Sequence, residues 1–195
     1  MRTKQSFIYI FLFLVNLVYG QDAQKPMQIV NREIGFRMDL PKGFSKLSEQ
    51  EKAKALDMGK KQIDKIYDTD FNIDGIEPNL FKKDDNNFFL INIKDYPSAE
   101  KEYQDEVKKS NEMLFNTYKK SFPNAEITQF NESKKIGNVS FNIYSLKTVI
   151  SKSVVMKVVG YTSLYKGKDI TLSAIYLDDA IGEEILKSIN SAKFE

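Results

Sequence analysis

The architecture of this chain follows from residues 154–177, VVMKVVGYTSLYKGKDITLSAIYL. This stretch predicts a β-hairpin of two long strands joined at Lys166-Gly167-Lys168, because β-branched and aromatic residues fill both arms around a glycine turn. No charge occurs over 158–165 or 170–177, and apolar side chains occupy both alternating faces. A hairpin with one face in solvent would alternate more cleanly. We therefore expect this hairpin at the centre of a sheet that helices cover on both faces.

Two segments before the hairpin have the periodicity of amphipathic helices. Ser48 and Glu51 form a capping box, which predicts a helix from residue 48 to about residue 67. A second helix is expected after Pro97, with Ser98 as its N-cap. The apolar stripe of this second helix consists of residues at helical spacing: Tyr103, Val107, Leu114, Tyr118 and Phe122.

The end of the chain predicts a third amphipathic helix, over 180–191, where isoleucines recur at four-residue spacing. Phe194 is expected to pack beneath this helix as an apolar plug. The remaining strands are predicted in pairs around turn residues, at 27–30 with 34–39, 79–82 with 87–95, and 126–131 with 139–150.

The first twenty residues predict export. Arg2 and Lys4 precede an uncharged apolar run over 7–18, and the small residue Gly20 follows, which is typical of a secretory signal peptide. A membrane-spanning helix needs about 20 apolar residues, and this run is shorter and contains Asn16. We expect cleavage after Gly20, with residues 21–195 forming one periplasmic or secreted domain without stable membrane insertion.

The composition excludes several chemistries. The 195 residues contain no cysteine and no histidine, so a Ser-His-Asp triad, a cysteine nucleophile and an ordinary zinc site are impossible. Signal removal deletes Arg2 and Lys4, and 29 basic residues become 27, against 27 acidic residues. This balance, with lysine pairs interspersed among acids, favours solvated faces over a nucleic-acid partner.

Short structural motifs lie at both ends of the chain: GF at 35–36, LPKGF at 40–44, the strand end YL at 176–177, and ILKSI at 185–189 before Phe194. With the element order, these motifs resemble the PsbP-like fold. That group includes the oxygen-evolving complex protein PsbP, the Ran-binding Mog proteins and bacterial DcrB-type envelope proteins. The resemblance covers residues from about 27 to 195.

The resemblance implies an α+β fold, an α/β/α sandwich in which three amphipathic helices cover a central antiparallel sheet. It also implies a protein that binds or assists other proteins without catalysis and without a cofactor. The expected partner is an envelope or extracellular protein. Many envelope members of the group are lipoproteins, and this chain departs from them because it has no cysteine to lipidate.

The segment DFNIDG at 70–75 matches the first half of a calcium loop, with oxygen side chains at alternate positions and glycine at the turn. The second half fails, since Phe81 stands where a bidentate glutamate is expected. A turn between the first helix and the next strand is the simpler interpretation. The alternative is a weak calcium site with these ligands: Asp70, Asn72 and Asp74, joined by Glu77.

Two functions remain open. One is a non-catalytic binding protein, with the polar loop 68–78 as its candidate contact surface. The other is a carboxylate-dependent hydrolase of an extracellular polymer, which needs only a spaced pair of acids. The candidate acids stand at the start of the last helix, where capping and the helix dipole explain them without an active site: Asp178, Asp179, Glu183 and Glu184.

Tyrosines are the remaining candidates for a ligand groove. Strands of a covered sheet collect aromatic residues in any case, so core packing explains them more simply than ligand binding does. The tyrosines concerned lie on the predicted central strands: Tyr144, Tyr161, Tyr165 and Tyr176. We therefore expect a binding protein and not an enzyme.

Overall fold

A computed structural model describes residues 27–70, 72–73 and 77–195 of the chain. The strands are β1 (Gln28–Asn31), β2 (Phe36–Asp39), β3 (Ser45–Lys46), β4 (Asn79–Asp84), β5 (Asn87–Asp95), β6 (Glu126–Ile136), β7 (Val139–Ser151), β8 (Val154–Tyr165) and β9 (Lys168–Tyr176). The helices are α1 (Glu49–Tyr67), α2 (Glu100–Ser121) and α3 (Asp179–Asn190). The predicted signal peptide lies outside the described residues.

Seven strands form one antiparallel sheet in the order β3-β4-β5-β9-β8-β7-β6, and β1 and β2 form a separate two-stranded sheet. The hairpin β8–β9 is central, as predicted. Its turn consists of Lys166 and Gly167, with φ of 49° and 72°. Positive φ at both turn residues matches the right-handed twist of the flanking strands. Lys168, which we expected in the turn, is the first residue of β9.

The sheet is covered on both faces. On one face, which we call the α3 face, helix α3 and the β1–β2 pair bury a large apolar cluster that includes Leu172 and Ile185. On the opposite α2 face, α1 and α2 pack over a second cluster that includes Ala55, Leu114 and Leu146. The predicted α/β/α sandwich is therefore confirmed.

The helix starts follow the capping chemistry with one exception. The Ser48–Glu51 capping box is present, since the Ser48 N–H donates to Glu51 Oε2 at 2.9 Å and the Glu51 N–H donates to Ser48 Oγ at 3.3 Å. The prediction of Ser98 as the cap of α2 is wrong. Ala99 occupies the N-cap position without a side-chain cap, so Ser98 lies one residue too early to reach the free N–H groups.

The C-terminal plug is confirmed. The Phe194 ring lies 5.2 Å from Phe36, 5.8 Å from Phe141 and 5.7 Å from Tyr165, measured between ring centroids. Lys193 extends this contact by exchanging backbone hydrogen bonds with Arg37 on β2. The end of the chain thus closes the α3 face between β2 and the central hairpin.

The largest differences from the predicted strands concern β6 and β3. Strand β6 continues to Ile136, five residues beyond the predicted end at 131, and the two-residue strand β3 was not predicted. Residues 129–135 are exposed, so no alternation of apolar and polar residues marks that part of β6 in the sequence. Among the described helices, none combines the length and apolarity needed to cross a lipid bilayer.

Candidate functional site

The predicted calcium loop follows the C-terminus of α1. Lys60 on α1 forms ion pairs with Asp64, at 2.6 Å, and with Asp70. An ammonium group on Asp70 competes with any cation for the same carboxylate. Asp74 lies outside the described residues, and within the described ranges no group of three or more acidic side chains is placed to hold a metal ion. The calcium site stays a prediction.

The acidic residues proposed for a hydrolase have structural partners at the start of α3. Asp178 caps the helix, since its Oδ1 accepts hydrogen bonds from the N–H groups of Ala180 at 2.8 Å and Ile181 at 3.1 Å. Asp179 pairs with Lys157 at 2.5 Å. Two further carboxylates remain: Glu184 pairs with Lys83 at 3.3 Å, and Glu183 is exposed on the helix surface.

The four tyrosines lie in the packed layers of the fold. Tyr161 is buried against Phe141, with ring centroids 6.4 Å apart, and Tyr165 packs on Phe194. Tyr144 donates a hydrogen bond to Gln129 at 2.7 Å, and burial raises the pKa of Tyr144 to about 12. Tyr176 lies against Gly182, where a Cβ atom would collide with its ring. Three of these side chains are buried in the core, as the simpler interpretation holds, and Tyr165 is half-buried at the end of β8.

A buried ionisable group that the sequence analysis missed lies under α2. Asp169 on β9 is only 3% exposed and faces α2. Its Oδ1 accepts a hydrogen bond from the Tyr103 hydroxyl at 3.0 Å, and its Oδ2 lies 3.7 Å from Lys94 Nζ on the neighbouring strand. We call these three residues the Asp169 cluster.

Burial dominates the electrostatics of the Asp169 cluster. Burial raises the pKa of the Asp169 carboxyl, and the Lys94 charge and the Tyr103 hydrogen bond partly offset this rise. The pKa of Tyr103 is also raised, first by burial and then by the negative charge of Asp169. The hydroxyl therefore stays protonated and donates to the carboxylate.

The Asp169 cluster is continuous with a polar row that crosses the sheet. Register places Asn92, Thr171, Thr162 and Asn142 side by side on four adjacent strands, and Asn142 donates a hydrogen bond to Gln104 on α2 at 2.9 Å. The Asn92 side-chain nitrogen is buried without a hydrogen-bond partner among the described residues. The row thus contacts α2 through Asn142, and a buried amide without a partner, such as that of Asn92, lowers stability.

One signal in the sequence points to this polar row. Along β9, Asp169, Thr171 and Ser173 alternate with Ile170, Leu172 and Ala174. Alternation with period two places the polar set on one face and the apolar set on the other. The buried position of Asp169 itself follows only from the docking of Tyr103, which lies 66 residues away in the chain.

Among the described residues, the most exposed large apolar side chain lies on strand β6. Phe130 is 61% exposed, and β6 forms the outer edge of the sheet, so one side of its backbone has no neighbouring strand among the described residues. We call this outer side of Glu126–Ile136 the β6 edge. Residues 127–131 carry no charge, and every position of β6 pairs with β7 without a register shift.

The two edges of the sheet differ in length. The opposite edge is β3, a strand of only two residues, whereas β6 has eleven. Short edge strands, charges and bulges are the usual means by which proteins prevent pairing with another chain. The β6 edge is long and regular, and its segment 127–131 is uncharged, so it offers backbone N–H and C=O groups to an added strand.

The comparisons with known proteins concern the fold. No protein-family model matches this chain, and no curated protein matches it at a significant level. The architecture is that of an antiparallel sheet between two covering layers. It is similar to the solution structure of cyanobacterial PsbP (CyanoP) from Synechocystis sp. PCC 6803, with a TM-score of 0.52 over 93% of this chain and 99% of that chain. The two sequences are 10% identical. This chain therefore has the PsbP-like fold that its sequence motifs resemble.

Proposed function

We propose that this protein is an exported, non-catalytic binding or accessory protein of the bacterial cell envelope that acts by protein–protein contact. The observation that carries the proposal is the β6 edge, with Phe130 exposed on a long strand that has no outer neighbour within the described part of the chain. Strand addition at such an edge gives affinity through main-chain hydrogen bonds, and side chains of the added strand give specificity.

Three further observations support contact over catalysis. Asp178 caps a helix, and Asp179 and Glu184 pair with lysines, so these candidate acids have structural roles. The buried Asp169 lies between the sheet and α2, where a substrate has no access to it. Fold similarity to PsbP is consistent with an accessory role but is an analogy at the level of fold alone.

The predicted export of this chain indicates where its partner lies. The pattern of residues 1–20 is that of a secretory signal, which directs the domain to the periplasm or the exterior. The partner is then an envelope or extracellular protein, and the balanced charge of residues 21–195 does not favour a polyanion. The chemistry of the edge requires no cofactor.

Site-specific photo-crosslinking in the native envelope tests the proposal. A photoreactive phenylalanine derivative at Phe130 keeps an aromatic side chain on the β6 edge. The matched control is the same derivative at Val30, which is 53% exposed on the separate β1–β2 sheet. We expect protein adducts from position 130 and not from position 30. Absence of adducts at 130, or the same adducts at both positions, would overturn the assignment of the β6 edge.

A further inference from the structure

We infer that the protein strand that adds to the β6 edge is the β6 strand of a second copy of this chain. The inference rests on the proposed contact function of that edge and names its partner. Two copies related by a two-fold axis perpendicular to the sheet would pair their β6 strands antiparallel. Such an interface uses the same surface on both subunits and closes into a dimer.

The side chains of β6 are self-complementary in one register. With Phe130 opposite Phe130 of the second copy, Glu126 lies opposite Lys134 at both ends of the paired segment. These three residues share a face, because side chains alternate along a strand and β6 has no register shift. The two-fold axis thus generates two opposite-charge pairs that flank one aromatic pair.

The other face of β6 matches in the same register. Gln129 lies opposite Asn131 of the second copy, so two side-chain amides meet twice across the axis. Opposite-charge pairs, aromatic pairs and hydrogen-bonding pairs are the cross-strand combinations that stabilise antiparallel sheets. The register aligns residues 126–134, which is most of the strand.

Neighbouring registers lose this complementarity. Centring the pair on Glu132 places two carboxylates directly opposite each other, and like charges at that position are destabilising. Centring it on Asn131 places Phe130 opposite Glu132. Centring it on Ser133 keeps a charge pair but places Phe130 opposite Ile136, which is already buried in its own chain.

The self-complementary charge pattern distinguishes a second copy from an unrelated strand. A heterologous partner requires no relation between the two ends of β6, whereas a two-fold axis requires that Glu126 and Lys134 lie at equal distances on either side of the central residue. Both are four residues from Phe130, the most exposed residue of the strand's apolar set. The dimer would join the two sheets into one continuous sheet.

Sedimentation analysis of the mature protein with charge reversals tests this register. Glu126→Lys and Lys134→Glu each place like charges at both ends of the paired segment, and we expect each to weaken the dimer by about tenfold or more. An equimolar mixture of the two variants restores opposite charges at both ends, so it should dimerise like the wild type. The double variant should do the same.

Control variants distinguish an effect on the dimer interface from a general effect of charge or of misfolding. Glu183→Lys and Lys187→Glu make the same charge reversals at exposed positions on α3 and should leave the dimer unchanged. Circular dichroism checks that each variant folds. A wild-type protein that stays monomeric across the concentration series overturns the inference, and failure of the mixture to restore the dimer overturns the register.

The crosslinking experiment separates this inference from the proposed function. A crosslink at Phe130 to a second copy of the chain supports both. A crosslink at Phe130 to a different protein supports contact at the β6 edge and overturns self-pairing. Loss of all crosslinks at this position removes both.

Discussion

Replacement of Leu172 by alanine tests the central position of the β8–β9 hairpin. The Leu172 side chain is 0% exposed and lies in the middle of the α3-face core. Its strand neighbours in register are Ile91 on β5 and Tyr161 on β8, so the backbone is fixed on both sides. Buried leucine-to-alanine changes cost about 2–5 kcal/mol, and the cost is highest where surroundings cannot collapse into the cavity.

We therefore expect Leu172→Ala to lower the free energy of unfolding by about 3–4 kcal/mol. Urea denaturation at equilibrium measures the change. With a slope of about 2 kcal/mol/M for a domain of this size, the midpoint should fall by about 1.5–2 M at unchanged slope. The matched control is Leu177→Ala, because Leu177 follows the same strand but is 37% exposed.

The control should cost less than about 1 kcal/mol, as partly exposed positions usually do. A loss below about 0.5 kcal/mol for Leu172→Ala is in the range of ordinary surface substitutions and would refute the two-sided covering of the hairpin. Equal losses for both leucines would likewise refute the difference in their surroundings.

Three further substitutions should change the stability of the protein in a defined direction. Burial raises the pKa of Asp169 above 3.8, so the stability that this group contributes is fully present below pH 3.8 and is lost as the pH rises through the raised pKa. The melting temperature of Asp169→Asn should therefore rise relative to that of the wild type as the pH increases. Hydrogen bonding by the Ser48 backbone N–H, aided by Lys82, lowers the pKa of Glu51 from 4.5 to about 2, so its contribution is present above 4.5 and is lost as the pH falls through about 2. Because this side chain is 41% exposed, Glu51→Gln should cost only about 1 kcal/mol at neutral pH, and the difference in melting temperature should vanish in acid. Gly182→Ala should cost about 1–3 kcal/mol in urea denaturation despite the better helix propensity of alanine, because the added Cβ would collide with the Tyr176 ring.

Periodicity accounts for the parts of the fold that the sequence predicted. The uncharged arms of the β8–β9 hairpin indicated a central position, and β9 is the fourth of seven strands. The Ser48–Glu51 capping box marked the start of α1, because both of its hydrogen bonds are local. Phe194 was placed correctly since a large apolar residue beside a helix end has few other sites to fill.

Predictions from local residue types were wrong where backbone geometry decides where a helix starts or a strand ends. Ser98 is a good capping residue, but the N-cap of α2 is Ala99 and lacks a side-chain cap. The end of β6 was placed at 131 because residues 132–135 are polar. Pairing with β7 continues through these residues to Ile136, since an edge strand needs no buried face to keep its ladder.

The candidate sites could not be derived from the sequence, because they depend on the order of strands in space. Nothing local to residues 126–136 shows that β6 lies at the edge of the sheet. Likewise, Asp169 meets Tyr103 only because α2 docks across β9, and a turn-proximal aspartate is ordinarily solvated. The calcium ligands Asp70, Asn72 and Asp74 remain a prediction that titration with calcium can test.

Hydrogen exchange along β6 tests the contact surface most directly. About half of the amides of an edge strand point away from the sheet and exchange rapidly unless another strand pairs with them. The peptide spanning Glu126–Ile136 should gain protection as a chain of residues 21–195 is concentrated, while the peptide spanning Val154–Tyr165 of the central hairpin stays unchanged. Rapid exchange of β6 at every concentration, and equally rapid exchange in the native envelope fraction, would contradict strand pairing at the β6 edge.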